Sequence, residues 1–160
     1  MGFWEKDMKK EYSDIITQVQ MANQLQKGLD RKEFTLYYQP EFDLKTLEIV
    51  GVEALVRWYQ PEIGFISPED FIPVAEKSKL IYKLEQWIIK KALSQKLQWE
   101  KDGFSQLELS INLSSKTLES ECYFNKIEKI ISSYKVDYSR ITIELTETMN
   151  LTNLNYVADR

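Results

Sequence analysis

The sequence predicts an α/β fold, a partial (β/α) barrel of the TIM type with about four strands, outer helices and an antiparallel first strand. Three strand-like runs, 51–58, 107–114 and 141–147, each alternate aliphatic with polar residues. The segments between these runs have apolar residues at helical spacing, which is typical of helices and not of tight hairpins. Periodicity alone leaves open three amphipathic strands of an antiparallel sheet, with their polar faces in water. The alternation of strands with helices favours parallel strands and hence the barrel.

The first part of the chain is predicted to be a helix followed by two antiparallel strands. Residues 4–30 have apolar residues at helical spacing, and we interpret them as an N-terminal linker helix or dimerisation arm. An aromatic strand at 34–39 is predicted to stop at Pro40. A turn at 44–47 then leads into the strand at 51–58. The predicted organisation is therefore a linker helix at 1–30 and a barrel segment at 31–160.

The later helices are predicted from their caps and their apolar spacing. Pro61 and Gly64 mark a loop, after which Ser67 is predicted to cap a helix. Apolar residues at helical spacing continue through 84–99 and again through 115–134. A strand follows each of these two helices, as a barrel requires.

Composition excludes several classes of function. The 160 residues include no histidine, which excludes a Ser-His-Asp triad or a His-ligated zinc formed within this chain. The net charge of −4, without a basic stripe, argues against nucleic-acid binding. A single cysteine, Cys122, rules out an internal disulfide, and no apolar stretch is long enough to span a bilayer. We therefore expect a cytoplasmic protein without a membrane segment in this chain.

Polar side chains on the predicted strands point to a binding site. Glu53 and Arg57 share one face of a strand that is otherwise suited to burial. Asn112, Ser114 and Glu144 come late in the two following strands, and Arg57 comes late in its own. Catalytic groups of (β/α) barrels lie at these carboxyl ends of the strands. Oxygen ligands and a guanidinium are thus expected to meet at one mouth of the barrel.

Six short segments give this chain a resemblance to a known family. Their order and spacing are those of the N-terminal part of an EAL domain, the cyclic di-GMP phosphodiesterase family named after Glu53-Ala54-Leu55. The segments are Tyr38-Gln39-Pro40, Glu53-Ala54-Leu55-Val56-Arg57-Trp58, Gly64-Phe65-Ile66-Ser67-Pro68, Phe71-Ile72-Pro73-Val74-Ala75-Glu76, Asn112-Leu113-Ser114 and Glu144-Leu145-Thr146-Glu147.

The resemblance implies a metal site. Residues matching Glu53, Asn112 and Glu144 coordinate a divalent cation in this family, with Glu53 and Glu144 counted as catalytic. Ligation by oxygen alone suits Mg²⁺ or Mn²⁺ and disfavours zinc. Glu147 matches a residue outside the metal site that steadies a functional loop. The alternative for Glu53 and Glu144 is a structural salt bridge.

The resemblance also implies a ligand site. Arg57 matches the arginine that holds a phosphate of the ligand, a role that suits a planar guanidinium. Gln39 and Leu55 match residues that line the substrate-binding site. The implied substrate is cyclic di-GMP, which is hydrolysed to linear pGpG.

The expected site is incomplete. A whole barrel takes about 250 residues, and the resemblance places an Asp-Asp pair, a lysine and later Glu and Gln residues after residue 160. We expect residues 31–160 to be truncated after the fourth strand, with weak metal binding and little hydrolysis. The open alternatives are a non-catalytic module that senses cyclic di-GMP or binds a protein, and an inactive half domain. Expected partners besides cyclic di-GMP are a second copy or the missing C-terminal half of the barrel, and an upstream sensor or GGDEF domain.

Overall fold

The structure is a computed structural model that describes residues 3–145. The predicted strand end at 146–147, including Glu147, lies outside the described residues, as does the rest of the C-terminal segment. The elements are α1 (Phe3–Arg31), β1 (Phe34–Phe42), β2 (Ile49–Gln60), β3 (Gly64–Ile66), α2 (Pro68–Lys77), α3 (Ile81–Lys101), β4 (Glu108–Leu113), α4 (Ser115–Glu119), α5 (Glu121–Ser132), a 3₁₀ turn (Tyr138–Arg140) and β5 (Ile141–Leu145).

The described strands form one open sheet in the order β1-β2-β4-β5, with β3 added beside β2. β1 pairs with β2 antiparallel, whereas β2 with β4 and β4 with β5 are parallel. The crossovers between parallel strands contain the helices α2 and α3, then α4 and α5. This arrangement confirms the predicted partial α/β barrel with an antiparallel first strand.

The two faces of the sheet have different environments, as the alternation in β2 predicts. Val52, Ala54, Val56 and Trp58 are buried beneath the helices, while the residues between them are only half-buried apart from Gly51. β4 buries Leu109, Ile111 and Leu113 in the same layer. The hydrophobic core therefore lies between the sheet and its helices and leaves the polar face available for a site.

An aromatic cluster attaches the end of α1 to the sheet. The Trp58 ring stacks on Phe34 with a centroid distance of 5.1 Å and meets Phe71 edge-on at 5.5 Å. The Trp58 indole nitrogen donates a hydrogen bond to Glu33 at 3.1 Å. Gly28 of α1 fits closely over this indole, since a Cβ at that position would lie 2.9 Å from Trp58 Nε1.

The predicted end of β1 was wrong, and one short strand was not predicted. β1 does not stop at Pro40 but continues to Phe42. In the described sheet β1 is an edge strand, where a residue without an N–H is tolerated. The predicted loop is present as a turn at 61–63, and it leads into the short strand β3, which the sequence analysis missed and which pairs antiparallel with β2. Gly64 takes up a φ of 93°, which lets the chain turn back tightly.

Two predictions about the helices need correction. The helix predicted at 115–134 is divided at Ser120, whose backbone is extended, into α4 and α5. Ser67 occupies the N-cap position of α2, but its side chain makes no capping hydrogen bond. In α1, which the sequence analysis predicts as a linker helix or dimerisation arm, Ile15 and Val19 are 53% and 55% exposed, whereas Leu25 and Gly28 nearer its C-terminal end are buried.

An open groove runs between α5 and β5, and we call it the β5 groove. Its volume is about 610 Å³, and its walls are mainly aliphatic and aromatic, including Leu113, Leu118, Phe124, Ile127, Ile143 and Leu145.

Across residues 3–145, no helix has the length and hydrophobicity needed to cross a membrane.

Candidate functional site

Strand register brings the predicted site residues onto one face of the sheet. Gln39 of β1 lies opposite Glu53 of β2, and Asn112 of β4 lies beside Glu144 of β5. Glu53 pairs with Ser110, one alternation before Asn112 on the same face of β4. The three predicted metal ligands, Glu53, Asn112 and Glu144, thus occupy neighbouring positions on three adjacent strands.

A direct hydrogen bond links two of these ligands. Asn112 Nδ2 donates to Glu53 Oε1 at 2.7 Å, and both side chains are half-buried. With its nitrogen engaged by Glu53, the Asn112 amide retains its carbonyl oxygen as a further acceptor. This pair therefore presents oxygen atoms from two different strands to the same space.

The electrostatics of the polar face favour a cation. The pKa of the Glu41 carboxyl is raised, first by partial burial and then by the negative charges of Glu144, Glu53 and Glu108. Glu41 lies over Gly51, where a Cβ would come within 2.6 Å of Glu41 Oε2. The carboxylates that raise the pKa of Glu41 mark a region of negative charge that a divalent cation would stabilise.

The donor set fits such a cation only in part. Two carboxylates and one amide offer the oxygen ligands that Mg²⁺ and Mn²⁺ prefer. Within residues 3–145, however, no group of three or more Asp, Glu, Cys or His side chains is arranged to hold a metal ion. Glu53, Asn112 and Glu144 would therefore supply only part of the oxygen ligands that such a cation takes up.

Arg57 lies on the same face, further along β2. Its Nη1 donates to the carbonyl of Val56 at 2.9 Å, and its guanidinium carbon lies 5.8 Å from the centre of the Tyr37 ring. Tyr37 in turn is paired with Leu55 across the β1–β2 ladder. These two contacts orient the guanidinium of Arg57, and the Tyr37 ring stabilises its positive charge from one side.

A small cavity of about 130 Å³ lies next to Arg57 and reaches the turn after β4. Its lining includes Leu55, Arg57, Asn112 and Ser114 together with apolar residues of α2 and α3. The predicted ligand-contacting residues of β2 and β4 therefore border a common space.

One buried and one half-buried glutamate fix the turn that follows β4. Glu85 of α3 accepts the backbone N–H of Ser114 at 2.5 Å and the hydroxyl of Thr117, while Glu76 of α2 accepts the Ser114 hydroxyl at 2.7 Å. Burial raises the pKa of Glu85 to about 7, against the opposing effect of these two hydrogen bonds to Glu85. The carboxyl end of β4, which bears Asn112, is thereby tied to both helices of the preceding crossover.

Sequence reasoning missed three residues of this region. Tyr37 and Glu41 alternate with Gln39 along β1 and so share its face. Glu41 was not recognised because the strand was predicted to stop at Pro40. Glu85 is flanked by the apolar spacing of α3, which gives no sign that a glutamate there is buried. Its partners lie 29 and 32 residues away and become visible only in the folded chain.

Residues 22–159 match the family model for the EAL domain. The chain belongs to the EAL domain family. Over 116 residues it is 38% identical to the cyclic di-GMP phosphodiesterase PA2567 of Pseudomonas aeruginosa, covering 72% of this chain and 20% of that protein. Over 129 residues it is 34% identical to the cyclic di-GMP phosphodiesterase PdeR of Escherichia coli K12, covering 81% of this chain and 19% of that protein.

Solved EAL structures share the fold of this chain. The PaMucR phosphodiesterase in its cyclic di-GMP complex matches with a TM-score of 0.77 at 28% identity, covering 88% of this chain and 56% of that one. The cGMP-bound form of the EAL enzyme Bd1971 matches with a TM-score of 0.80 at 28% identity, covering 96% of this chain and 44% of that one. This EAL chain thus spans about half of these solved chains and about a fifth of the two curated relatives.

Proposed function

We propose that this chain forms the N-terminal part of a metal-dependent EAL phosphodiesterase that hydrolyses cyclic di-GMP to linear pGpG. The observation that carries the proposal is the 2.7 Å hydrogen bond from Asn112 to Glu53, with Glu144 beside Asn112 in the strand register. Two relatives above 30% identity are cyclic di-GMP phosphodiesterases, which supports the choice of substrate.

In this proposal each residue of the polar face has a separate task. Glu53, Asn112 and Glu144 hold Mg²⁺ or Mn²⁺ through oxygen atoms. When bound, the cation supplies an activated water and stabilises charge on the scissile phosphate. Arg57 binds and orients a phosphate of the ligand, because its guanidinium can donate two parallel hydrogen bonds to phosphate oxygens.

The remaining predicted residues have supporting tasks. Gln39, which lies opposite Glu53, and Leu55, which lies between Glu53 and Arg57, border the bound dinucleotide. Glu147, outside the described residues, steadies a loop close to the site. Such supporting groups matter because a phosphodiester must be held within a few tenths of an ångström of its reactive position.

The proposal includes partners and a location. The β5 groove and the free side of β5 are covered by the C-terminal half of an EAL barrel, since solved relatives are about twice as long as this chain. A GGDEF or sensor domain precedes α1, as supported by 29% identity to the bifunctional diguanylate cyclase/cyclic di-GMP phosphodiesterase MucR. We place the protein in the cytoplasm, in keeping with a single cysteine.

A second function, cyclic di-GMP sensing without hydrolysis, is favoured by one observation. The part of the chain that the structure describes contains no metal-holding cluster of three acidic, thiol or imidazole groups. A site with few metal ligands can retain the arginine–phosphate contact while losing catalytic power.

Calorimetry of the 160-residue chain with cyclic di-GMP, with and without Mg²⁺, tests the proposal. We expect weak binding that strengthens with Mg²⁺, disappears in Arg57→Ala and persists in Arg31→Ala, a control at an exposed arginine of α1. Binding that is unchanged in Arg57→Ala would refute the assignment of Arg57 to a phosphate. Absence of binding under every condition would refute the proposal and support the alternative of an inactive half domain. Chromatography of the same samples shows whether linear pGpG forms, which separates hydrolysis from sensing.

A further inference from the structure

Two adjacent tyrosines of β1 face opposite sides of the sheet. Tyr38 is half-buried on the helix side, where its ring meets Trp99 of α3 edge-on at a centroid distance of 4.8 Å. Tyr37 lies on the polar face and is 62% exposed. Because successive side chains of a strand point in opposite directions, only Tyr38 contributes to the core. Core packing therefore does not account for an aromatic residue at position 37.

The register of β1 and β2 places Tyr37 in the middle of the candidate site. Three successive pairs of residues cross the polar face between the two strands: Gln39 with Glu53, Tyr37 with Leu55, and Thr35 with Arg57. Under the proposed function, Glu53 holds the metal and Arg57 holds a phosphate. Four residues of a strand span roughly 13 Å, which is the backbone separation of Glu53 and Arg57. A ligand in contact with both residues therefore passes over the middle pair, Tyr37 and Leu55.

The ring of Tyr37 lies close to the group assigned to the phosphate. The centre of the ring is 5.8 Å from the guanidinium carbon of Arg57, within the range of a cation–π contact. The residue paired with Tyr37 is Leu55, a half-buried aliphatic side chain. Together, Tyr37 and Leu55 give the polar face an apolar surface between its carboxylate and its guanidinium. Such a surface suits the flat face of a nucleobase, which stacks on aromatic side chains.

We propose that Tyr37 contacts a guanine base of cyclic di-GMP and favours purine over pyrimidine bases in this site. The inference rests on the proposed function, because it takes cyclic di-GMP as the ligand. Loss of one base–aromatic stack weakens binding by about tenfold to a hundredfold. A purine has two fused rings and a pyrimidine has one, so a purine covers more of the tyrosine ring. Tyr37 therefore contributes to the choice of ligand as well as to affinity.

A different role would follow if Tyr37 only held the guanidinium of Arg57 in place. Removal of the tyrosine ring would then weaken the phosphate contact equally for every cyclic dinucleotide, whatever its bases. A direct contact with the base predicts unequal losses, because purines and pyrimidines differ in stacking area. A comparison of two ligands therefore separates the two roles, whereas a single affinity does not.

Titration of the 160-residue chain with cyclic di-GMP and with cyclic di-UMP, in the presence of Mg²⁺, tests the inference. Tyr37→Leu should weaken binding of cyclic di-GMP by about tenfold or more and binding of cyclic di-UMP by less than about threefold. Tyr37→Phe retains the ring and should keep both affinities within about threefold of the wild type. Because Tyr37 is exposed, circular dichroism should show the same fold in both variants.

The fluorescence of 2-aminopurine provides a second measurement. In a cyclic dinucleotide that carries 2-aminopurine in place of guanine, stacking on an aromatic ring quenches the base. The bound ligand should be quenched by the wild type and by Tyr37→Phe, and it should be brighter when bound to Tyr37→Leu. Tyr12→Leu is the matched control, since Tyr12 is 68% exposed in α1 and precedes the EAL match, which begins at residue 22. This control should give the affinities and the quenching of the wild type.

Equal affinity of the wild type and Tyr37→Leu for cyclic di-GMP would overturn the inference. Equal losses for the two ligands, or unchanged quenching in Tyr37→Leu, would also overturn it and would indicate that the tyrosine acts only through Arg57. Failure of the proposed function has a different signature, namely wild-type binding of cyclic di-GMP that Arg57→Ala leaves unchanged. Absence of any binding by the wild type would overturn both.

Discussion

Glu85 shows how one buried carboxyl group can make the stability of this domain depend on pH. It is 2% exposed, and burial raises its pKa to about 7 from an ordinary value of 4.5. The unfolded chain therefore ionises at a lower pH than the folded chain. Protonated Glu85 makes a contribution to the free energy of unfolding that is fully present below about pH 4.5. This contribution is lost as the pH rises through about 7.

We predict that Glu85→Gln removes this pH dependence. Relative to the variant, the wild-type free energy of unfolding should fall by on the order of 3 kcal/mol between pH 4.5 and pH 8. Glutamine can still accept the Ser114 N–H, so the turn after β4 keeps one of its hydrogen bonds. Urea unfolding at several pH values measures the difference. Glu69→Gln, at an exposed position of α2, should show the same dependence of unfolding free energy on pH as the wild type. The same pH dependence in Glu85→Gln as in the wild type would contradict the prediction.

At the scale of the elements, Gly28 decides how α1 joins the sheet. Alanine usually stabilises a helix relative to glycine by about 1 kcal/mol. Here a Cβ would lie 2.9 Å from Trp58 Nε1, 3.0 Å from Glu33 Oε2 and 3.1 Å from Phe34 Cε2. The gain in helix propensity is therefore opposed by a clash with the aromatic cluster.

We predict that Gly28→Ala destabilises the domain by about 1–3 kcal/mol, the usual cost of overpacking a core. Chemical unfolding followed by tryptophan fluorescence measures the change, since the substitution disturbs the environment of Trp58. Lys27→Ala, one residue earlier and exposed, provides the matched control with an expected change of less than about 0.5 kcal/mol. An increase in stability for Gly28→Ala would mean that α1 is not held closely over Trp58.

The elements also show how far sequence reasoning reaches. The alternation in β2 was sufficient to separate buried Val52 and Trp58 from half-buried Glu53 and Arg57, because side-chain direction in a strand is a local property. Pro40 was misread because its tolerance depends on β1 being an edge strand, which is a property of the whole sheet.

The candidate site could be predicted in composition but not in detail. Oxygen ligands on neighbouring parallel strands follow from alternation and strand order. The bond from Asn112 to Glu53 depends on a register in which Glu53 pairs with Ser110, and no local pattern sets that register. The burial of Glu85 likewise depends on groups about 30 residues away, supplied only by the packing of α3 against the turn after β4.

At the scale of the whole molecule, the β5 groove presents an open apolar surface beside the sheet. We predict that the folded chain binds the dye 8-anilinonaphthalene-1-sulfonate there, because a groove of about 610 Å³ with apolar walls falls in the size range of small-molecule sites. Ile143→Asp should reduce the fluorescence of the dye severalfold, as it puts a charge in the wall.

Thr142→Asp is the matched control, since Thr142 is an exposed neighbour on the opposite face of β5. Its dye fluorescence should equal that of the wild type. Equal loss in both variants, or no loss in either, would show that the dye does not report on the β5 groove. Addition of an EAL C-terminal half that covers the groove should also displace the dye.

The two outer strands of the described sheet, β1 and β5, differ in how readily a further strand can pair with them. β1 contains Pro40, which has no amide hydrogen, and its pairing is irregular at Glu41 and Phe42. β5 pairs regularly with β4 along all five of its residues. We therefore expect a further strand to pair with β5 more readily than with β1, because the proline and the irregular register of β1 hinder the addition of a strand from another chain.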